Sequence, residues 1–229
     1  MKKLIVISLI LITAACTPAG ANETYIALVD GSDSMAGENA PLQRNLAELE
    51  KALVTIPKGS DLVILAFGKN CIELLKAQYP RQAGPQNANL RQFHAQVAKK
   101  LRENLKERLP LLDRSSTDLV GALLRAKRIA EPNQTGKTTL YVFSDGLDTV
   151  NYKMSLRALS KEGSHNQFLA RGTTKIKYEP TTAVVFYSMF QDSPRLSLLE
   201  NEKAAAELKL FYEALFTSAG AHITYKNSY

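Results

Sequence analysis

The chain contains no tryptophan, two cysteines and three histidines among 229 residues. Cys16 and Cys71 allow one bridge at most and form no C-x-x-C pair, which excludes a disulfide-stapled scaffold and a dithiol redox or thiolate zinc centre. His94, His165 and His222 stand apart, with no cysteine or acid at metal-ligand spacing, so a zinc site of the histidine type is excluded too. There is no G-x-S-x-G elbow, and no Ser/His/Asp set can be assembled. Twelve glycines and nine prolines follow no period, which excludes collagen-like and low-complexity chains. No apolar run reaches the ~20 residues needed for a membrane-spanning helix. What remains, at 45% hydrophobic and 22% charged residues, has the composition of one globular domain large enough to bury its own core.

The first fifteen residues read as an export signal. Lys2 and Lys3 precede an apolar run from Leu4 to Ile12, and the small residues Thr13, Ala14 and Ala15 lead to Cys16. Ile12-Thr13-Ala14-Ala15-Cys16 resembles the bacterial lipobox, which implies cleavage before Cys16 and a lipid on its sulfur. Ala19-Gly20-Ala21 offers an ordinary signal-peptidase site, with cleavage after Ala21, as the alternative. Residues 16–23 are then a short tether. With Thr17 after the cysteine, an outer-membrane anchor in the bacterial cell envelope is expected, or a periplasmic protein if the second site is used. Losing Lys2 and Lys3 lowers the formal charge from +7 to +5, so the mature chain is mildly basic.

From residue 24 to 229 the pattern is that of one α/β domain. Buried strands are expected at Thr24–Val29, Leu62–Phe67, Thr139–Phe143, Ala183–Phe190 and His222–Tyr225, with Cys71–Leu75 as an edge hairpin partner. Leu42, Leu46, Leu49, Leu53 and Ile56 mark a helix ended by Pro57. Leu90, Phe93, Val97, Leu101, Leu105 and Leu109 mark a long second one. Others are expected over Asp118–Ala130, 153–160 and 195–218, with a polar stretch at 161–180. Apolar strands alternating with helices indicate a doubly wound, mostly parallel sheet covered on both faces.

In such a sheet ligands bind outside the carboxyl ends of the strands. Two strands end there in an acid, Asp30 and Asp145, and two acids at close range do not both stay ionised without a cation. Ser32 and Ser34 follow Asp30. Hydroxyl and carboxylate oxygens suit a hard divalent ion such as Mg²⁺.

At these residues the sequence resembles the von Willebrand factor A (VWA) family. Asp30-Gly31-Ser32-Asp33-Ser34 matches its D-x-S-x-S motif after an apolar strand. Ser116-Thr117-Asp118-Leu119 resembles its threonine element, and Phe143-Ser144-Asp145-Gly146 its last metal-site element. The resemblance implies a Rossmann-like fold with one antiparallel edge hairpin. It also implies a metal-ion-dependent adhesion site of Asp30, Ser32, Ser34, Thr117 and Asp145, holding Mg²⁺, with Mn²⁺ or Ca²⁺ as alternatives. It further implies a protein partner whose Asp or Glu completes the ion's coordination, and a monomer that joins a larger assembly. Asp33, Glu38, Asp118 and Asp148 are expected near the same rim, Asp33 as solvated surface.

Two other functions share these residues. One is a metal-assisted phosphohydrolase, whose base would have to be Asp33 or Asp148 because no histidine lies in a motif loop. The other is a structural envelope protein with no functional metal. Gly136-Lys137-Thr138 is not a P-loop, since Glu131 stands where a glycine is needed and a strand follows. Lys99, Lys100, Arg102, Lys106 and Arg108 are interrupted by Glu103 and Glu107, and read as a solvated helix face in place of a nucleic-acid surface. His94 is expected to face solvent. Lys161, His165, Arg171, Lys175 and Lys177 make the 161–180 stretch a candidate partner-binding loop, and Cys71 a half-buried small hydrophobe.

Overall fold

The computed structural model describes residues 23–35, 41–80, 88–133, 136–172, 176, 178, 182–187, 195–218 and 220–226. The export signal, Cys16, Glu38, Lys175 and Lys177 lie outside them. Six strands form one sheet: β1 (Thr24–Asp30), β2 (Asp61–Phe67), β3 (Cys71–Gln78), β4 (Thr138–Phe143), β5 (Thr182–Tyr187) and β6 (His222–Lys226). Their spatial order is β3-β2-β1-β4-β5-β6. All pairs are parallel except β2–β3, which is antiparallel with a register shift at Ile64/Leu65. The order reverses between β2-β1 and β4, so the ends of β1 and β4 form the crevice of a doubly wound sheet.

Side chains alternate across the strands and fill two cores. On one face, Tyr25, Ala27 and Val29 of β1 and Leu62, Ile64 and Ala66 of β2 pack under α1 (Pro41–Leu53) and α2 (Ala88–Arg108). On the other, Ile26, Leu28, Val142 and Phe186 pack under α3 (Leu119–Ala130), α4 (Leu156–Leu159), α5 (Ser164–Arg171) and α6 (Leu198–Ser218). β1 is buried along its full length, as expected for a central strand covered on both faces.

Three carbonyls of the edge strand β3 are covered by side chains from the two flanking helices. Arg125 of α3 donates to the Cys71 carbonyl, Arg108 of α2 to that of Glu73 at 2.7 Å, and Asn104 to that of Leu74 at 2.6 Å. Cys71 itself is half-buried, and burial pushes its thiol up to about 11, so it is no nucleophile at neutral pH.

Most boundaries agree to within three residues, with β3 running on to Gln78 and α6 starting at Leu198, and four larger differences stand out. The strand expected to run to Phe190 is described to Tyr187, and residues 188–190 lie outside the described set. The helix expected at 153–160 is the single turn of α4, started by Ser155, whose hydroxyl accepts from the Ala158 N–H at 3.3 Å. His94 is half-buried against the Tyr79 ring, centroids 5.4 Å apart, and does not face open solvent. Its Nε2 is buried without a hydrogen-bond partner among the described residues, and burial lowers its pKa from the usual value.

The fourth difference is the 161–180 stretch, which contains α5. No residue of the usual capping type stands before it; Gly163 takes φ 73° there. Its first N–H groups are satisfied from α6 instead. The Glu207 carboxylate accepts from the N–H of Gly163 and of His165, each at 2.9 Å, and from His165 Nδ1 at 2.6 Å. Phe168, Ile176 and Tyr178 are buried, and the Tyr178 hydroxyl donates to the Leu123 carbonyl at 3.0 Å.

Burial alone would raise the Glu207 carboxyl, but the donors from His165 and Gly163 outweigh it and hold it down to about 2. A carboxylate depressed in this way stabilises the fold above its unfolded value near 4.5, and stops doing so as pH falls through about 2. Glu207→Gln should therefore cost on the order of 3 kcal/mol at neutral pH. The gap between wild type and variant in urea unfolding should stay constant above pH ~5 and close toward pH ~2. A gap that is flat with pH would show that Glu207 is not the cap.

Candidate functional site

Three loops meet beyond the ends of β1 and β4. The first follows β1. Asp30 is its last residue, 0% exposed, and the Ser32 N–H turns back to Asp30 Oδ1 at 2.9 Å. That Asx-type turn brings Ser32 Oγ and Ser34 Oγ to 3.0 Å from one another, with Ser32 buried and Ser34 exposed. Asp33 points to solvent, as expected, and pairs with Arg114 Nε at 3.3 Å. The same Nε donates to the Gly31 carbonyl at 2.8 Å.

The second loop follows β4. Ser144 Oγ accepts from the Gly146 N–H at 3.0 Å and donates to Asp30 Oδ2 at 2.7 Å, so one hydroxyl shapes the turn and ties it to β1. Asp145 is 9% exposed, and its Oδ1 accepts from the Leu147 N–H at 3.0 Å. Gly146 takes φ 83°, the left-handed conformation that favours glycine, and its carbonyl accepts from the buried Tyr212 hydroxyl of α6 at 2.7 Å.

The third loop leads into α3. Thr117 is buried there, held by its backbone: its N–H donates to Thr149 Oγ1 at 2.8 Å, and its carbonyl accepts from the N–H of Thr149 and Val150. Its own hydroxyl takes no hydrogen bond among the described residues. Asp118 caps α3 through the Gly121 N–H at 2.7 Å, while its own N–H donates to the Gly68 carbonyl at 2.7 Å. A Cβ on Gly68 would collide with the Asp113 carbonyl, so this turn requires glycine for close approach.

Asp148 joins the second and third loops. It is fully buried and accepts from the N–H of Val120 at 2.9 Å, of Asn151 at 2.6 Å and of Tyr152 at 3.2 Å, and from Asn151 Nδ2 at 3.1 Å. A carboxylate held by four donors is a structural clamp, which leaves it poorly placed to be the base that a phosphohydrolase would need. Asp148, expected only as an acid near the rim, carries the site's framework together with Ser144 and Arg114, which were not among its expected members. Ser144 lies inside the quoted Phe-Ser-Asp-Gly element, but its role depends on β1 lying beside β4, which local sequence does not state.

Two carboxylates are buried close to one another here. Burial raises the Asp30 carboxyl above the usual range. Burial, then the charge of Asp30, pushes Asp145 up to about 7, against the Leu147 N–H and the Ser34 hydroxyl, which lower it. The Asp30 oxygens accept from the Ser32 N–H and from Ser144 Oγ, and a carboxylate's roughly four acceptor positions leave room beside them. Among the described residues no group of three or more His, Cys, Asp or Glu could hold a metal, so any ion here relies on hydroxyls and water beside two carboxylates. That donor set fits a hard, oxygen-seeking divalent ion and does not fit zinc or copper.

No family model matches the chain, and no curated protein sequence does. Solved structures do. The chain is similar to a von Willebrand factor type A protein from Catenulispora acidiphila, at 15% identity and TM-score 0.43, over 87% of this chain and 42% of that one. It is similar to the ArnB paralog VWA2 from Sulfolobus acidocaldarius, at 12% identity and TM-score 0.46, over 91% and 42%. It thus spans about two fifths of the length of either. It is also similar to the conserved hypothetical protein BatB from Bacteroides thetaiotaomicron, at 14% identity and TM-score 0.44, over 90% and 89%.

If the two carboxylates repel one another, removing one charge relieves the fold. Asp145→Asn should raise the melting temperature in EDTA by roughly 2–4 °C, about 1 kcal/mol for a domain of this size. Asp148→Ala should lower it by two to three times as much, because it strands buried N–H groups. Differential scanning calorimetry of the three proteins reads both, and a lower melting temperature for Asp145→Asn would refute the repulsion. The sheet order, the antiparallel edge hairpin and the convergence of the three motif-bearing loops at one crevice give this chain a doubly wound, mostly parallel, Rossmann-like α/β fold.

Proposed function

We propose that this is an exported VWA domain that captures a protein partner through a divalent cation, and that it is no enzyme. Asp30, Ser32, Ser34, Thr117 and Asp145 would hold the ion, Mg²⁺ first, with Mn²⁺ or Ca²⁺ the alternatives. The observation that carries this reading is the buried, mutually repelling pair Asp30 and Asp145 at a crevice lined with hydroxyls. A bound cation supplies the compensating charge and an electrophilic position for a carboxylate from the partner.

Two features favour binding over phosphoester hydrolysis. Asp148 is saturated with donors, and Asp33 is exposed and paired with Arg114. The three histidines stand elsewhere: on α2, at the start of α5 and at the start of β6. The bacterial envelope is the proposed location, with Cys16 as the lipid anchor. Among the described residues no helix is long and apolar enough to cross a membrane. The domain is proposed to act as a monomer within a larger assembly, without nucleic acid.

Calorimetric titration of the mature protein with Mg²⁺ and Mn²⁺ tests the reading. The expected result is one ion per chain, with binding at least ~100-fold weaker in Asp30→Ala, a loss of about 2.7 kcal/mol. Equal binding by wild type and Asp30→Ala would overturn it. Magnesium-dependent turnover of phosphate esters that Asp30→Ala abolishes would move the reading to the enzyme.

A further inference from the structure

The chain enters the domain at the end of the sheet opposite the crevice. β1 begins at Thr24, and its register places Asp61 on one side and Thr138 on the other. The turn from α1 into β2 and the segment from α3 into β4 therefore flank the entry point. Backbone bonds lace them to it: the Asp61 N–H donates to the Glu23 carbonyl and the Thr24 N–H to that of Lys137, each at 2.9 Å.

Three cations stand exposed on this end, Lys58 before β2, Arg128 in the last turn of α3 and Lys137 before β4, and none forms an ion pair among the described residues. Their neighbours differ: Lys51 pairs with Glu48, and Lys127 with Glu131. The acids Glu23 and Asp61 are half-buried, and Glu23 accepts from the Tyr25 hydroxyl at 2.7 Å. Beside Lys58, Val54 is 62% exposed and Pro57 is exposed as well. The basic face of α2 is different in kind. Arg102 makes two bonds to Glu50, Lys99 lies 3.9 Å from Glu103, and Arg108 serves the β3 edge.

Tether length decides which end meets a bilayer. Cys16 precedes Glu23 by seven positions, which span at most about 25 Å at full stretch. β1 alone rises about 23 Å. To press the crevice onto the membrane, the tether would have to run fully extended along the whole height of the sheet. Every shorter path leaves the entry end nearer the lipid.

We propose that this end, Lys58, Arg128 and Lys137 around exposed Val54, docks on anionic phospholipid headgroups and stands the domain on the bilayer with its crevice directed away. The proposal rests on the reading of Cys16 as a lipid anchor. Each cation contributes little alone, but a short tether holds all three near the surface at high effective concentration, so weak attractions add.

The test uses mature protein purified from membranes, with intact mass reporting the acyl chains on Cys16. The protein is placed on vesicles of phosphatidylethanolamine with phosphatidylglycerol, or of phosphatidylcholine alone, and amide exchange is followed. On the anionic vesicles exchange should slow ~3-fold or more over residues 54–60 and 136–138, and stay unchanged over 144–152. Lys58→Glu with Lys137→Glu should abolish the slowing while mass and melting temperature stay the same, since both side chains are exposed. Equal slowing at both ends, slowing only at the crevice, or no difference between the two vesicles would overturn the proposal. If the mass shows no acyl chain, the anchor reading fails by itself. Sedimentation of that free chain with the same vesicles then decides: binding to the anionic set, lost in the double variant, sustains the docking surface, and no binding refutes it.

Discussion

Burying Asp30 and Asp145 beside each other costs electrostatic free energy that their few hydrogen bonds return only in part. The loops around them are arranged to bear that cost. Ser144 donates to one Asp30 oxygen, the Ser32 N–H to the other, and the Leu147 N–H to Asp145. Each donor comes from the turn that its own acid begins or from the neighbouring strand end. The site is thus held by short local turns locked together across β1 and β4.

Those turns would be poor scaffolding without the cores behind them. β1 and β4 are covered on both faces, so the strand ends cannot drift apart without opening two hydrophobic layers at once. Tyr212 extends this restraint to the turn itself by reaching from α6 to the Gly146 carbonyl. Asp148 does the same between the loops, since the four donors it satisfies belong to α3 and to the residues that follow it. Arg114 completes the arrangement by bonding the β1 loop from the segment before α3.

Sequence periodicity located the strands and the long helices because their signals are local: apolar runs of six or seven residues, and leucines three and four apart. The D-x-S-x-S turn was legible for the same reason, being five consecutive residues whose hydrogen bonds close on one another. The features that escaped are those whose partners lie far along the chain. α5 carries no cap of its own, and the carboxylate that starts it arrives from α6. Asp148 reads as an acid near the rim, and only α3 brought against it shows that it is a buried clamp. His94 sits beside an apolar stripe, and only the position of Tyr79 shows that its ring is covered.

The guarded edge at β3 has a consequence for crowding. An open edge strand is a template on which another chain can add, and it is most dangerous where copies are concentrated. With Arg125, Arg108 and Asn104 seated on the carbonyls of Cys71, Glu73 and Leu74, the first half of β3 offers an incoming strand fewer acceptors, which works against extension there. The opposite boundary, β6, is five residues long and ends in Lys226, whose ammonium lies over the Tyr187 ring. Shortness and charge do there by discouragement what the guanidinium groups do by occupation. Among the described residues, neither edge of the sheet presents a long, bare ladder on which another chain can add.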